Sequence, residues 1–341
     1  MTDKPPFHER VAARLVAQLE AGTAPWQRPW KPGDSYLPTN AATGKAYRGI
    51  NALLLLSQGR PDPRWLRYKQ AESIDAHVRQ GEHVTLIQYW KFQEQVPQRD
   101  AEGNVLRDEA GQSLHSTVQL ERPRVFYAVV FNAEQIEGLA ALETKSRDWD
   151  PNERAEALLA KSGAQIVHGG ERAFYSPGRD FIRLPEPSQF ENVASYYATA
   201  LHELGHWTAH PTRLDRDIAH PFGTEGYARE ELRAEIASLM LGDDIGIGHD
   251  PGQHAAYVHH WIAILKREPL EIFKAAAAAE GIRDFVLGLE RVQKLPASIQ
   301  AVAGAPTKEA IMTTDSERSG QRTYIDVPYA ERGAARELGA R

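Results

Sequence analysis

A pair of histidines four residues apart is the feature that most restricts how this chain can fold. His202 and His206 stand in the sequence LHELGHWTAH, with Glu203 directly after the first of them. On an α-helix, residues at this spacing lie one turn apart on the same face. Four residues that suit packing fall on the opposite face: Tyr197, Leu201, Leu204 and Thr208. The segment therefore predicts a helix that buries one side and turns its two imidazoles toward a cleft.

The chain contains no cysteine, so any metal ion must be held by histidine or carboxylate side chains. Two histidines around a glutamate form the HExxH pattern of zinc hydrolases, in which a third protein ligand leaves the fourth position to water. The segment REELRAEIASLML offers that ligand, because Glu231 and Glu235 share one face of a predicted helix. We expect Glu231 to complete a site for one Zn²⁺ ion per chain, and Glu235 to orient one of the histidines. The spacing does not decide which of Glu231 and Glu235 is the ligand and which orients a histidine. Glu230 is a third candidate for the ligand.

Glu203 is the predicted general base, since it stands beside the first histidine and can take a proton from water. A zinc ion lowers the pKa of bound water to about 7 and polarises a carbonyl, which suits peptide-bond hydrolysis. Pro185 ends the strand predicted at Phe181–Leu184, so we interpret that strand as a sheet edge able to pair with an extended peptide. The donor that stabilises the oxyanion is left open among four residues: His210, Tyr257, His259 and His260. A chance motif and an inert metal site are the competing interpretations.

The net charge is −6, yet residues 21 to 70 contain eight basic residues and only two acidic ones. Six aromatic residues interleave with these cations between Trp26 and Lys69. Aromatic rings stack on bases and cations follow phosphates, so the window predicts binding to single-stranded DNA. Core packing of the rings and a solvated basic face are the alternative. The predicted DNA-binding residues are Trp26, Arg28, Trp30, Lys31, Asn40, Lys45, Tyr47, Arg48, Asn51, Trp65, Arg67, Tyr68 and Lys69.

The order of predicted elements indicates an α+β protein of two domains, and 341 residues are enough for two cores. Helices are predicted at 7–21, 50–57 and 69–80, and strands at 84–90 and 124–132, around a polar hairpin insertion at 97–119. A helix to Lys161, three short strands, the histidine-bearing helix, an acidic helix at about 227–241 and a helical segment at 255–295 follow. We expect one domain at 1–140 and a second at 150–295. A linker at 296–319 and a partial module at 320–341 are predicted after them.

The chain shows no sign of a membrane segment. No run of about 18 apolar residues is present. The first residues, MTDKPPFHERVAARL, have acids and prolines where a secretory signal needs an apolar core. We therefore expect a cytoplasmic protein without a membrane partner.

Several ordered segments resemble the ArdC family of plasmid antirestriction proteins, over about residues 5 to 290. They are WQRPW, TNAATGKAYRGIN, DPRWLRYKQA, VTLIQYWKF, HELGHWTAHPTRL, FG-x-E-x-YAREELRAE and YVHHWIAILK. The resemblance implies an N-terminal domain that binds single-stranded DNA and a zincin-like metallopeptidase domain of the gluzincin type. It also implies protection of incoming plasmid DNA, with a host restriction component as a candidate protein substrate. It supports the two histidines as ligands and Glu203 as the catalytic residue, and its Glu-x-x-Ala-Glu pattern favours Glu231.

Two other functions stay open at this point. The chain could be a non-catalytic protein that coats single-stranded DNA, with a metal domain that only stabilises the fold. It could also be an accessory of a conjugative primase, because the N-terminal domain is similar to part of certain conjugative primases. No acidic triad of the polymerase kind is evident in the sequence.

Overall fold

The computed structural model of the protein describes residues 5–142, 148–251 and 255–290. Its helices are α1 (Phe7–Glu20), α2 (Gly49–Leu56), α3 (Tyr68–Glu72), α4 (Pro151–Ser162), α5 (Val193–Trp207), α6 (Glu225–Ile245), α7 (Val258–Arg267) and α8 (Glu271–Gly288). Its strands are β1 (Thr39–Asn40), β2 (Arg64–Leu66), β3 (His77–Val78), β4 (Thr85–Pro97), β5 (His115–Asn132), β6 (Ile136–Glu137), β7 (Gln165–His168), β8 (Phe174–Ser176) and β9 (Phe181–Leu184). The α+β class is confirmed. The linker predicted at 296–319 and the module predicted at 320–341 lie outside the described residues.

Two long antiparallel strands dominate the N-terminal half. β4 and β5 pair from Thr85 opposite Val130 to Pro97 opposite His115. The inner end of β5 also pairs with β2, and β2 pairs with β1. The insertion predicted at 97–119 is thus largely the outer part of one continuous hairpin.

The third predicted helix is much shorter than expected. The pattern indicated a helix at 69–80, whereas α3 ends at Glu72 and β3 occupies His77–Val78. Between them Asp75 has φ 57°, a left-handed conformation that cannot continue an α-helix. β3 then pairs with β6, so tertiary pairing replaces the local helical preference.

A three-stranded sheet stands before the histidine-bearing helix in the chain, with β9 at its centre. β7 pairs with β9 in parallel and β8 pairs with it in antiparallel. The interpretation of Phe181–Leu184 as a sheet edge is therefore wrong. Pro185 follows the last paired residue of β9, so it removes no hydrogen bond from the ladder. β8 forms one edge of this sheet instead.

Capping side chains fix where the two central helices of the second domain begin. The side chain of Asn192 accepts a hydrogen bond from the backbone N–H of Ser195 at the start of α5. Thr224 does the same for Tyr227 at the start of α6. α6 ends at Ile245, and Gly246 after it adopts the left-handed conformation common after a helix.

The helical segment predicted at 255–295 is divided into α7 and α8. Glu268 precedes Pro269 and leaves the helical conformation, with φ −129° and ψ 78°. The proline ring disfavours the α conformation of the residue before it, which explains the break. None of the described helices combines the length and the apolar composition that a membrane span requires.

One hydrophobic cluster joins the two domains. Leu15 of α1 and Leu53 of α2 belong to the same cluster as Trp261 of α7 and Ile282 of α8. Two smaller clusters lie within the N-terminal domain, around β2 and β5. The N-terminal helices thus help to complete the main core of the second domain, and the two domains are packed directly on each other.

Candidate metal centre

Two neighbouring helices bring three ligand-type side chains together. His202 and His206 lie one turn apart on α5, with their Nε2 atoms 3.1 Å from each other. Glu231 reaches them from α6, with Oε2 3.5 Å from Nε2 of His202 and Oε1 3.6 Å from Nε2 of His206. All three residues are buried. Within the described residues they form a cluster whose ligand atoms lie within 4.8 Å of one another.

The spacing of these atoms fits a tetrahedral metal site. Bonds of about 2.0–2.1 Å at tetrahedral angles place neighbouring ligand atoms about 3.3 Å apart. The observed distances lie on both sides of that value, from 3.1 to 3.6 Å. Two imidazole nitrogens and a carboxylate oxygen also form a donor set that zinc and similar divalent ions accept. The residues present therefore fit one divalent metal ion.

A different carboxylate lies on the far side of each imidazole. Oε2 of Glu235 lies 3.4 Å from Nδ1 of His202, and Oε1 of Glu230 lies 3.4 Å from Nδ1 of His206. A carboxylate at Nδ1 fixes the tautomer of the ring and turns Nε2 toward the metal position. Glu235 thus lies where a carboxylate that orients a histidine was expected. Glu230 lies behind the second ring and does not face the metal position as an alternative ligand would.

Arg216 anchors Glu230 and was missed by the sequence analysis. Its Nη2 donates to Oε1 of Glu230 at 2.7 Å and to the carbonyl of Gly205 at 2.9 Å. Nη1 donates to the hydroxyl of Thr208 at 2.7 Å. Arg216 belongs to an irregular segment between α5 and α6. Such a segment has no sequence periodicity from which the orientation of the Arg216 side chain could be predicted.

The pKa values show that the charges of the cluster depend on one another. Burial alone would lower the pKa of His202, but Glu231 and Glu235 raise it to about 9. Against the same effect of burial, Glu231 and Glu230 raise the pKa of His206 well above its usual range. Burial would raise the pKa of Glu231, yet the two imidazoles lower it. The metal-free cluster therefore binds protons more tightly than isolated imidazoles do, and a divalent cation would replace those protons.

A cavity of about 630 Å³ opens on the three ligand-type residues. Glu203 lines this cavity, so the glutamate between the two histidines faces the same space. Phe174 and Tyr175 of β8 form another part of the wall. The cavity thus combines a metal-type donor set, an acidic side chain and the exposed edge of a sheet.

Two tyrosines line the cavity close to Glu231. Tyr257 is one of the four predicted oxyanion donors, and the other three do not line the cavity: His210, His259 and His260. Tyr227 was missed, although it stands four residues before Glu231 on α6 and so shares its face. Its hydroxyl interacts with Glu231, which contributes to the raised pKa of Tyr227. Burial is the largest cause of the raised pKa of both tyrosines, so both hydroxyls are protonated donors at neutral pH.

Two of the predicted DNA-binding tryptophans are core residues. Trp26 is 0% exposed and Trp65 is 2% exposed. Trp65 packs with Leu55, Ile87 and Val130 beneath the long hairpin. A ring without an accessible face cannot stack on a base, so the prediction of these two residues as DNA contacts is wrong. Aromatic residues fill cores and bind bases equally well, and sequence composition does not separate the two uses.

Four other predicted DNA contacts are engaged in the fold. Trp30 stacks on Tyr36 with ring centroids 4.2 Å apart. Arg48 pairs with two acidic residues of α8. Asn51 exchanges hydrogen bonds with the backbone of β4, and Arg28 donates to a carbonyl in the turn after α1.

The remaining seven predicted contacts are exposed or half-buried: Lys31, Asn40, Lys45, Tyr47, Arg67, Tyr68 and Lys69. Hydrogen bonds gather several of them. Nδ2 of Asn40 donates to the hydroxyl of Tyr47 at 3.3 Å and to Oε1 of Gln70 at 3.1 Å. The backbone N–H of Arg67 donates to the same oxygen of Gln70 at 3.1 Å. We call this surface the Tyr68 patch, and its members are Asn40, Tyr47, Arg67, Tyr68, Lys69 and Gln70.

The long hairpin adds an exposed aromatic pair that the sequence analysis did not assign to DNA. Tyr89 is 46% exposed and stacks on Phe126, with ring centroids 5.5 Å apart. Ile87 and Ala128 lie opposite each other on the same face of the hairpin, two residues from this pair along each strand. Ile87 belongs to a buried cluster against which both Ala128 and Tyr47 pack. The Tyr89–Phe126 pair therefore extends the Tyr68 patch along one face of the hairpin.

Two family models match the chain. One, described as the N-terminal domain of anti-restriction factor ArdC, covers residues 5–130. The other, described as a zincin-like metallopeptidase, covers residues 153–278 and so includes α5 and α6. Together they account for both halves of the described structure.

Two solved structures of the antirestriction ArdC protein from plasmid R388 are similar to this chain. The metal-free structure has a TM-score of 0.65 and 32% sequence identity, and the match covers 84% of this chain and 98% of that chain. The Mn(II)-bound structure has the same score and identity, with 85% of this chain and 100% of that chain covered. The similarity therefore extends over nearly the whole R388 protein and over most of this chain.

Curated relatives show a region like this chain inside longer proteins. Two proteins of Escherichia coli, each named DNA primase TraC, are 62% and 60% identical over 294 and 297 residues. The matches cover 85% and 86% of this chain but 28% and 20% of the primases. An uncharacterized protein of Sinorhizobium fredii is 33% identical, over 84% of this chain and 94% of its own length.

The fold and the site define a two-domain protein whose second domain is zincin-like and carries the donor set for a divalent metal ion. The similarity to the R388 protein runs through both domains. The chain belongs to the ArdC family of antirestriction proteins.

Proposed function

We propose that this chain is an antirestriction protein that binds single-stranded DNA and hydrolyses peptide bonds at a zinc ion. The hydrolase half rests on one observation. His202, His206 and Glu231 converge on one point at the wall of the cavity that Glu203 also lines. A zinc ion held by the first three would polarise the scissile carbonyl and make the attacking water more acidic.

Glu203 is the proposed general base. Its carboxylate takes a proton from the attacking water and passes it to the nitrogen of the leaving amine, so that the C–N bond breaks without release of an amide anion. Proton transfer of this kind contributes about 10²–10⁴-fold to the rate. The protonated hydroxyl of Tyr257 faces the same cavity and is the proposed donor to the developing oxyanion.

The proposed substrate is an extended polypeptide. β8 is an edge of its sheet, and two of its side chains, Phe174 and Tyr175, line the cavity. An extended segment can add to such an edge through backbone hydrogen bonds, while side-chain pockets select its sequence. Recognition of the substrate through its backbone would allow many different proteins to bind. A host restriction component is the candidate substrate.

The DNA-binding half rests on the Tyr68 patch and the Tyr89–Phe126 pair. Accessible rings stack on unpaired bases, and the neighbouring cations Arg67 and Lys69 follow the phosphates. The name DNA primase of the two Escherichia coli relatives agrees with a role on DNA.

The decisive experiment compares the wild type with Glu203→Gln, which keeps the size of the side chain and removes the base. Elemental analysis should find zinc at the same stoichiometry in both proteins. A proteolysis screen with and without single-stranded DNA should detect cleavage by the wild type alone. Glu191→Gln, at an exposed position before α5, is the matched control and should cleave like the wild type.

Two outcomes would contradict the proposal in different ways. Equal cleavage by the wild type and Glu203→Gln would remove Glu203 as the base. No cleavage by either protein, with antirestriction retained by Glu203→Gln in recipient cells, would leave a non-catalytic DNA-coating protein.

A further inference from the structure

A buried histidine outside the ligand set connects the N-terminal domain to the metal centre. His249 follows α6 in the chain and is 4% exposed. Its backbone forms a two-bond bridge with Trp30 of the N-terminal domain: each N–H donates to the other carbonyl at 2.9 Å. The loop that carries His249 is therefore bound directly to the N-terminal domain.

The side chain of His249 points toward the metal centre. Nε2 lies 3.0 Å from the carbonyl oxygen of Trp26 and 3.2 Å from Oε1 of Glu235. The carbonyl of Trp26 can only accept, so Nε2 carries a proton, and this polar N–H lies within ion-pair distance of the Glu235 carboxylate. The other oxygen of Glu235 lies 3.4 Å from Nδ1 of His202. Polar contacts thus run without a gap from the backbone of Trp26 to one of the proposed metal ligands.

The N-terminal side of this chain of contacts is held firmly against α6. The hydroxyl of Tyr36 donates to the carbonyl of Leu239 at 2.8 Å, and the N–H of Tyr36 donates to Asp243 at 2.7 Å. Gly248 has φ 82°, and a Cβ placed there would stand 2.2 Å from the carbonyl oxygen of Trp30. Only glycine permits this approach of the two backbones. The position of the His249 ring is therefore set by the N-terminal domain.

We propose that His249 is a positioning residue for the metal centre, through which the N-terminal domain fixes Glu235 and so orients His202. The inference rests on the proposed metal site. Glu235 is 1% exposed, and a buried carboxylate keeps its charge and direction only if donors surround it. Loss of the His249 donor would weaken the hold of Glu235 on Nδ1 of His202. Outer carboxylates of this kind affect metal affinity by about 10–100-fold, so we expect a change of roughly tenfold for His249.

The test measures the Kd for Zn²⁺ of the full chain by competition with a chromogenic chelator. His249→Leu should weaken binding roughly tenfold, because the donor is lost. His249→Gln should recover most of the affinity, because its amide nitrogen can reach the position of Nε2. His168→Leu is the control, since His168 contacts Tyr196 and not the metal cluster. Thermal unfolding in excess chelator checks the fold of each variant, and His249→Asn replaces His249→Leu if that variant does not fold.

A double-mutant cycle with Glu235→Gln separates positioning from a general loss of stability. If His249 acts through Glu235, His249→Leu should add little to the loss that Glu235→Gln causes by itself. The visible spectrum of the Co²⁺-loaded protein should change in His249→Leu and not in the control. Unchanged Zn²⁺ affinity in His249→Leu, or fully additive losses, would overturn the role of His249 alone. A wild type that binds no divalent metal would overturn the metal site as well.

Discussion

Nη2 of Arg216 donates a 2.7 Å hydrogen bond to Oε1 of Glu230, and both side chains are largely buried. This pair stands directly behind the ring of His206, which makes Arg216 part of the support of the metal centre although it cannot be a ligand.

Arg216→Leu should weaken both the fold and metal binding. Removal of one partner from a buried ion pair leaves an uncompensated charge, at a cost of about 3 kcal/mol in the free energy of unfolding. Arg216 also helps to keep the pKa of Glu230 low, so without it Glu230 loses its charge more readily and holds His206 less well. We expect the Kd for Zn²⁺ to rise about 10–100-fold.

Chemical denaturation and metal competition check this prediction together. Arg267→Leu is the control, because Arg267 pairs with Glu268 on the surface, where an ion pair contributes about 0–1 kcal/mol. Equal losses of stability in the two variants would show that the Arg216–Glu230 pair has no special role.

The metal-free protein should become less stable as pH rises from about 6.5 to about 9. The pKa of His202 rises from 6.5 to about 9 in the folded protein, where burial opposes and the carboxylates of Glu231 and Glu235 favour the charged form. A pKa raised by folding stabilises the protein fully below the unfolded value, and this stability is lost as pH passes the folded value. Melting temperatures in excess chelator across this pH range provide the measurement.

With zinc bound, the stability of the protein should depend on pH in a different way. Metal binding needs deprotonated imidazoles, so the increase in melting temperature caused by zinc should grow as pH rises from about 6 to about 8. His202→Asn removes one of the two imidazoles whose pKa folding raises, so it should reduce the slope of the metal-free protein. A metal-free protein whose stability is constant or rises toward pH 9 would contradict the charge arrangement.

The position of the histidine pair could be predicted from the sequence because it depends on local geometry alone. A spacing of four residues on a helix places His202 and His206 on one face in any fold. The distribution of roles among the acidic residues of α6 could not be predicted in full. Glu230 and Glu231 differ by one residue, or about 100° around the helix, and the position of α5 decides which of them faces the metal position.

Apart from Tyr227, most of the parts that the sequence analysis missed depend on contacts between segments that are not neighbours in the chain. Trp65 is buried because the long hairpin packs over it, which composition does not reveal. β9 is central because β7 and β8 flank it, whereas Pro185 only marks its end. The sequence gives no sign of a role for His249, because its neighbour Glu235 stands fourteen positions earlier in the chain.

The two cavity tyrosines should separate catalysis from metal binding. Tyr257→Phe should lower kcat for peptide hydrolysis by about 10²-fold or more and leave the Kd for Zn²⁺ unchanged, because an oxyanion donor acts only in the transition state. Tyr227→Phe should instead weaken metal binding, since its hydroxyl contacts Glu231. Steady-state kinetics and metal competition on both variants check the assignment, which an equal loss of kcat in the two variants would contradict.

Tyr68→Ala should weaken DNA binding and Trp65→Ala should destabilise the fold, although the two residues are only three positions apart. Tyr68 is 51% exposed in the Tyr68 patch, so its removal should change stability by less than about 0.5 kcal/mol. Loss of one stacking ring should weaken binding to single-stranded DNA by about 1–3 kcal/mol, or about 5- to 150-fold in Kd. Trp65→Ala should destabilise the fold by about 3–5 kcal/mol, because it empties a buried site under the hairpin.

Fluorescence anisotropy with a labelled oligonucleotide and thermal unfolding of the same samples measure both effects. Tyr89→Ala should follow Tyr68→Ala if the DNA strand continues along the hairpin face, since both rings are exposed and neither is needed for the core. Phe222→Ala is the control, because Phe222 is 77% exposed but lines the metal cavity in the other domain. Unchanged DNA affinity in both Tyr68→Ala and Tyr89→Ala would place the DNA-binding surface elsewhere on the molecule.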